Sequence, residues 1–315
     1  MIVQTGDVRL LPHARLSSLD PVTDGISGSV LDAFLHALTE HADTRGLRIQ
    51  LFTARSPEHE LEQIRRLRDG SDVDAFVLTS TFHGDPRTAW LEQHRVPFVT
   101  FGRPWGEADL DRPAHPWVDV DGRAGTRAAT EHLRGLGARR IGYLGWPSPS
   151  GTGDERRAGW REAQHLDDAT AGRLSRAAED RVDLGAVAAR ELLAAGVDAI
   201  VCASDSLALG ASIAIRDSGR DLPVIGYDDT PVAAAVGLSS VRQPLHAVAA
   251  AALELLFGER GGDLVDQEPD DVRHRLLEPD LVVRGPGALA RLETTTTPGS
   301  AGPPAQQPAT TERTA

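Results

Sequence analysis

The stretch Pro223-Val-Ile-Gly-Tyr-Asp-Asp-Thr-Pro231, followed by Ser239-Ser-Val-Arg-Gln-Pro244, decides how the chain is read. Pro223 to Tyr227 has the apolar run of a buried strand, and the strand ends in two carboxylates, Asp228 and Asp229. A short second strand runs into Gln243-Pro244. In open α/β sheets, ligands sit at the carboxyl ends of strands. Carboxylates placed there accept hydrogen bonds from hydroxyl groups without a metal. The alternative is a turn in which Asp228 and Asp229 bond only to nearby backbone.

Working outward, short β-like runs alternate with helical patterns, which predicts a parallel α/β architecture. Strands are expected at Val8–Leu11, Arg48–Thr53, Ala75–Thr79 and Pro97–Phe101. Helices are expected at Ser29–Arg45, Pro57–Arg68 and Pro86–His94. The first carries Val30, Phe34, Ala37, Leu38 and Ala42 on one face and stops at Gly46, a residue suited to the helix C-cap. After a proline-rich passage, Trp117–Asp121 is extended and Gly122–Leu136 helical. A second series follows. It holds strands at Arg140–Leu144, Ala199–Ala203 and Pro223–Tyr227, with a weaker candidate at Arg176–Glu179. Its helices are Asp154–His165, Asp183–Ala195 and Asp205–Ser218. A long helix, Leu245–Phe257, and two short strands, Arg275–Leu277 and Leu281–Val283, close the fold. Two similar halves in series predict two lobes with a cleft between them. The expected limits are 1–136, completed by about 244–276, and 137–243, completed by about 277–291. Residues 292–315 form a low-complexity tail expected to be disordered.

Composition excludes several function classes. The 315 residues include 40% hydrophobic ones, enough for a core, yet no run approaches the ~18 apolar residues of a membrane span. The start, Met1-Ile-Val-Gln-Thr-Gly-Asp, has neither the basic nor the apolar region of a secretory signal. A single cysteine, Cys202, rules out an internal disulfide. Together these predict a cytoplasmic protein. The net charge is −13, with arginines interleaved among acids, so no basic face for nucleic acid stands out. The chain has no lysine, which removes Schiff-base chemistry and P-loop phosphate binding. It also has no HExxH, CxxC or GxSxG motif, and no metal or other cofactor is expected.

Several blocks carry a family resemblance. The opening segment resembles the "GyDd…lTtvrQp" block of the LacI-family transcriptional regulators. Asp72-Val-Asp-Ala-Phe-Val-Leu resembles their "vDGiIl", and Val96-Pro-Phe-Val-Thr-Phe-Gly-Arg103 their "iPvV.i.R". Further matches are Val118-Asp-Val-Asp-Gly122 with Thr130-Glu-His-Leu133, and Arg156-Arg-Ala-Gly-Trp-Arg-Glu-Ala163. Ala199-Ile-Val-Cys-Ala-Ser-Asp-Ser-Leu-Ala-Leu-Gly-Ala211 and Leu277-Glu-Pro-Asp-Leu-Val-Val-Arg284 complete the order. The resemblance spans roughly Thr5 to Gly285. It implies a two-lobed, sugar-receptor-like fold, a homodimer, and a small-molecule effector, usually a sugar, held between the lobes. It also implies operator DNA as a partner, provided that the intact protein carries the family's N-terminal helix-turn-helix. A first strand at Val8 leaves no room for that module in this sequence.

By the same resemblance, Asp121, Arg156 and Asp228 fall on ligand-contacting positions, and Ser204-Asp205 stands where the family commonly has Asn-Asp. An arginine fork with carboxylates offers a polyol many fixed donors and acceptors. Trp146 and Trp160 offer flat faces for a sugar ring. Asp229 is expected to secure the turn, and Gln243 to sit at a lobe crossover. The plainer readings are an N-cap for Asp121, a surface charge for Arg156, a packing role for Cys202 and a turn for Ser150-Gly-Thr-Gly-Asp154. Two other functions fit the same fold. One is a transport receptor, which needs an export signal. The other is a sugar- or nucleotide-acting enzyme, for which a retaining glycosidase would need two carboxylates about 5 Å apart.

Overall fold

The computed structural model describes residues 2–5, 28–52, 54, 56–70, 73–106, 114–258 and 274–285. The strand expected at Val8–Leu11 and the tail from 292 lie outside these residues, as does Thr53 at the end of the second expected strand.

Two six-stranded sheets organise the described chain. The first sheet contains β1 (Ile2–Thr5), β2 (Leu47–Gln50), β3 (Ala75–Thr79), β4 (Phe98–Phe101), β5 (Trp117–Val120) and β11 (His274–Leu277), in the order β11-β5-β4-β3-β1-β2. β3, β4, β5 and β11 are parallel, while β1 runs antiparallel to both β2 and β3. The second contains β6 (Ile141–Gly145), β7 (Ser175–Ala177), β8 (Ala199–Cys202), β9 (Val224–Tyr227), β10 (Ser239–Arg242) and β12 (Asp280–Val282), in the order β12-β10-β9-β8-β6-β7. All its pairings are parallel except that of β12 with β10.

Helices cover both sheets because the strands are apolar on both faces. In the first lobe, α1 (Gly28–Asp43) packs on α10 (Leu245–Phe257), and the two bury Phe34, Leu38, Val248 and Leu256 over one face. α2 (Pro57–Asp69) and α3 (Pro86–Gln93) cover the other face with Ile64 and Leu91. The second lobe holds α4 (Gly122–Gly135), α5 (Gly151–Ala163), α6 (Asp168–Leu174), α7 (Val182–Ala194), α8 (Asp205–Asp217) and α9 (Pro231–Ala235). α4 packs on α5 and on β6, β8, β10 and β12. The crossover to the second sheet therefore falls at Asp121, ahead of α4, and not after Leu136 as the sequence reading placed it.

The chain crosses between sheets three times: β5 to α4, β10 to α10, and β11 to β12. The helices begin where local chemistry satisfies free N–H groups. Ser56, Asp85, Asp121, Ser150, Asp167, Ser204 and Thr230 each accept a backbone N–H as an N-cap. The Ser150-Gly-Thr-Gly-Asp154 loop is the start of α5, which begins three residues before the expected Asp154. Ser150 Oγ accepts from Gly153 N, and Asp154 Oδ2 accepts from Ser150 N at 2.9 Å. α6 and α9 went unread because seven and five residues are too short to show a period. β7 is an edge strand of three residues, and its register begins one residue before the expected Arg176.

Candidate functional site

The carboxyl ends of the strands of both sheets meet the crossovers, and polar side chains collect there. Gly102–Trp105 follow β4, Asp121 follows β5, Trp146 follows β6, Ala203 follows β8, Asp228 follows β9 and Gln243 follows β10. Parallel strands place all these loops on one edge of each sheet, which is where the ligand rule for open sheets puts a site.

On the second lobe, Arg156 is the centre. It lies in the second turn of α5 with 4% of its surface exposed. Nη1 donates to the Ala203 carbonyl at 2.5 Å and stands 3.6 Å from Asp228 Oδ1. Its guanidinium lies 3.5 Å from the Tyr227 ring centroid and 5.2 Å from that of Trp146. A desolvated cation over an aromatic face gains about 2 kcal/mol or more. Gln243 Nε2 donates to Asp228 Oδ1 at 2.7 Å, so the amide and the guanidinium share one carboxylate oxygen.

Asp228 and Asp229 both take positive φ, +104° and +50°. Two consecutive non-glycine residues in that region are strained by about 1–3 kcal/mol each, and such strain collects at functional sites. Three contacts hold the turn. Ser240 Oγ accepts from Asp229 N, and Arg242 and Arg284 pair with the Asp229 carboxylate at 2.7 and 2.6 Å. Asp229 thus faces arginines of its own lobe, while Asp228 faces Arg156 and Gln243.

The first lobe supplies a second arginine that the sequence reading did not single out. Arg103 donates from Nε to Asp119 Oδ2 at 2.9 Å and lies over Trp105 at 5.3 Å. Its Nη1 reaches Glu155 on α5, across the lobe boundary, at 3.4 Å. Trp105 lies against Gly151, where a Cβ would come within 2.1 Å of the ring, so only glycine fits there. Asp119 accepts from Val120 N, and burial raises its carboxyl above the ordinary range against the pull of Arg103. The more distant charge of Arg156 adds a smaller pull in the same direction.

Four buried donors in this region have no partner among the described residues: Arg103 Nη2, Arg156 Nε, Trp146 Nε1 and Tyr227 Oη. Unpartnered buried donors cost about 1–3 kcal/mol each, and a bound acceptor removes that cost. Asp121 joins them at the crossover, half-buried, with Oδ1 accepting from Ala124 N at 2.8 Å as the α4 cap.

Three expected ligand contacts stand elsewhere. Trp160 is fully buried in the second-lobe core beside Tyr143, and its Nε1 donates to the Ile141 carbonyl at 3.0 Å. Ser204 is also fully buried. It caps α8 and donates to Asp180. Asp205 lies beneath the Asp228 turn. It accepts from Thr230 N at 2.7 Å and Ser240 Oγ at 2.6 Å and so braces the turn from below. Burial, with the charge of Asp228 adding to it, pushes the Asp205 carboxyl up to about 7. Of the residues the sequence reading missed, Arg103 and Asp119 sat inside blocks already noted, Val96–Arg103 and Val118–Gly122. Their signal was an arginine and an acid at strand ends in the first lobe, matching the pair in the second.

The site can hold a neutral, hydroxyl-rich molecule. It combines guanidinium forks, carboxylates and aromatic faces. No group of three or more His, Cys, Asp or Glu capable of holding a metal occurs among the described residues.

Comparisons agree with this architecture. Residues 130–285 match the model of the periplasmic binding protein-like domain. The HTH-type transcriptional regulator CelR of Thermobifida fusca is 35% identical over 257 residues, covering 77% of this chain and 72% of that protein. Among solved structures, a regulatory protein of the LacI family from Chloroflexus aggregans aligns with TM-score 0.71 at 32% identity, over 81% of this chain and 91% of that one. A CelR–cellobiose complex aligns with TM-score 0.70 at 31% identity, over 82% of this chain and 79% of that one.

Proposed function

The chain belongs to the LacI family of transcriptional regulators, and from that premise we propose that it senses a neutral sugar of one or two rings between its lobes and controls transcription in response. The observation that carries the reading is the pair of arginine–aromatic stacks, Arg103 on Trp105 and Arg156 on Tyr227 and Trp146, one from each lobe, beside Asp119 and Asp228. The likeness to CelR, whose structure was solved with cellobiose, supports the choice of ligand.

The mechanism follows from where the groups sit. Sugar hydroxyls accept from Arg156 Nε, Arg103 Nη2 and Trp146 Nε1 and donate to the Asp228 carboxylate. Because the groups come from both lobes, the sugar favours one lobe arrangement over others. A ligand shifts such an equilibrium only through its different affinity for the two states. In the dimer that we propose, with the outer face of α1 at the contact, that shift changes the spacing of two DNA-reading heads and so the affinity for operator DNA. The protein acts by binding alone, and no step of catalysis is assigned to it.

Trp105 and Trp146 report the site directly. A saturable change in tryptophan fluorescence is expected for at least one member of a panel of cellobiose, maltose, glucose, galactose and ribose. A folded protein whose emission is unchanged by every member at millimolar concentration would contradict a sugar-sensing role.

A further inference from the structure

A second concave surface lies at the other end of α5. Helices α4 and α5 touch most closely at Gly159, where a Cβ would come within 2.0 Å of the Arg123 carbonyl. Beyond that crossing the helices leave a groove of about 630 Å³. Four arginines line it, Arg123, Arg127 and Arg134 from α4 and Arg161 from α5, together with His165. Two carboxylates, Glu131 and Glu162, face them. In a chain of net charge −13, such a concentration of guanidinium groups stands out.

The arginines are not all spent on the fold. Arg134 donates to the Ala163 carbonyl and Arg161 Nε to the Leu166 carbonyl, which ties both side chains to the end of α5. The guanidinium of Arg127 has no ion pair or hydrogen bond among the described residues. Arg123 and Arg127 stand four apart on one helix face, a spacing at which like charges repel. The pairs that do form, Arg123 with Glu162 and Arg161 with Asp168, are two-fifths exposed or more. Exposed pairs hold weakly and yield to a stronger anion.

His165 takes φ +54° just past the end of α5, where glycine is the usual residue. A non-glycine residue there is uncommon, and this one puts an imidazole on the groove wall.

We propose that this groove binds a small molecule carrying phosphate. The volume lies in the range of small-ligand sites. Guanidinium forks match phosphate oxygens two at a time, and a phosphate group brings nearly twice the charge of a carboxylate. The ligand spans the two helices, with Arg127 and Arg123 on one side and the outer N–H groups of Arg134 and Arg161 on the other. The surface is separate from the Arg156 site and does not depend on what that site binds.

The test is thermal unfolding of the full chain with inorganic pyrophosphate or glucose 6-phosphate. Glucose and sodium chloride at matched ionic strength serve as controls. Tm is expected to rise by about 3–6 °C at a concentration tens of times Kd, and only with the phosphorylated compounds. A shift with pyrophosphate alone assigns an inorganic polyanion, and a shift with glucose 6-phosphate assigns a sugar phosphate. Either supports the site if Arg127→Glu removes the shift while leaving the ligand-free Tm unchanged. Arg161→Gln serves as the second variant should Arg127→Glu fail to fold. The shift is expected to persist in Arg156→Ala. No shift beyond the salt control, or a full shift kept in Arg127→Glu, would overturn the proposal.

Discussion

The two walls of the proposed interlobe site use the same parts with different support. Each sets an arginine on an aromatic ring beside a buried carboxylate: Arg156, Tyr227 and Asp228 in the second lobe, Arg103, Trp105 and Asp119 in the first. The second-lobe wall stands on a lower layer. Asp205 and Ser240 brace the turn from below, and Arg242 and Arg284 hold Asp229 at its side. The first-lobe wall stands on the segment after β4, and its contacts with the other lobe among the described residues include a 3.4 Å ion pair and Trp105 on Gly151. One wall is thus tied to its own lobe by several charged and hydrogen-bonded contacts. The other is held from its own lobe, where Thr81 Oγ1 donates to the Arg103 carbonyl at 3.0 Å and Gly102 N to the Val118 carbonyl at 2.9 Å, with no comparable layer of charged groups beneath it among the described residues.

That difference can be broken first at its stronger end. Arg156→Ala removes the cation from a carboxylate only 9% exposed and opens the Ala203 carbonyl. Losing one partner of such a pair costs about 3–5 kcal/mol. Sugar affinity measured by calorimetry should fall by at least ~100-fold, with the far-UV circular dichroism of the folded protein retained. Arg103→Ala should cost less, roughly tenfold in affinity. It also strands Asp119, so the variant should melt at lower temperature. Pairing it with Asp119→Asn should restore the melting temperature but not the affinity. If Arg103→Ala weakens binding as much as Arg156→Ala, the two walls are not unequal.

The smallest expected effect is a pH dependence. The Asp205 carboxyl, pushed up to about 7 by burial, keeps its proton where the unfolded chain has released it. Stability from this group is therefore full below the ordinary carboxylate pKa near 4 and is lost as pH rises through about 7. Its slope is at most ~1.4 kcal/mol per pH unit. Asp205→Asn should flatten the stability curve between pH 4 and 7 in denaturant titrations, and an unchanged slope would place the titration elsewhere.

Much of this was legible in the sequence, for reasons that differ by element. Ala75–Thr79 and Leu245–Phe257 were read to the residue because a run of buried apolar side chains bounded by turn residues leaves little choice. Arg156 and Asp228, which the structure sets 3.6 Å apart, each lie near an element end inside a recognisable block. Trp160 was misread because an indole looks the same in sequence whether its face meets a ligand or Tyr143. Ser204 and Asp205 were misread because their partners, Asp180, Thr230 and Ser240, arrive from distant segments. The first-lobe wall was missed because Arg103 meets Glu155 only once the chain has crossed between sheets.

The most direct test of the whole arrangement is hydrogen–deuterium exchange with and without a saturating sugar chosen by the fluorescence panel. If the two arginine walls form one site, backbone amides should gain protection together at Gly102–Trp105, at Gly145–Gly153 and at Asp228–Gln243. Protection confined to the second-lobe segments, or to neither wall, would contradict the claim that one sugar is held between them.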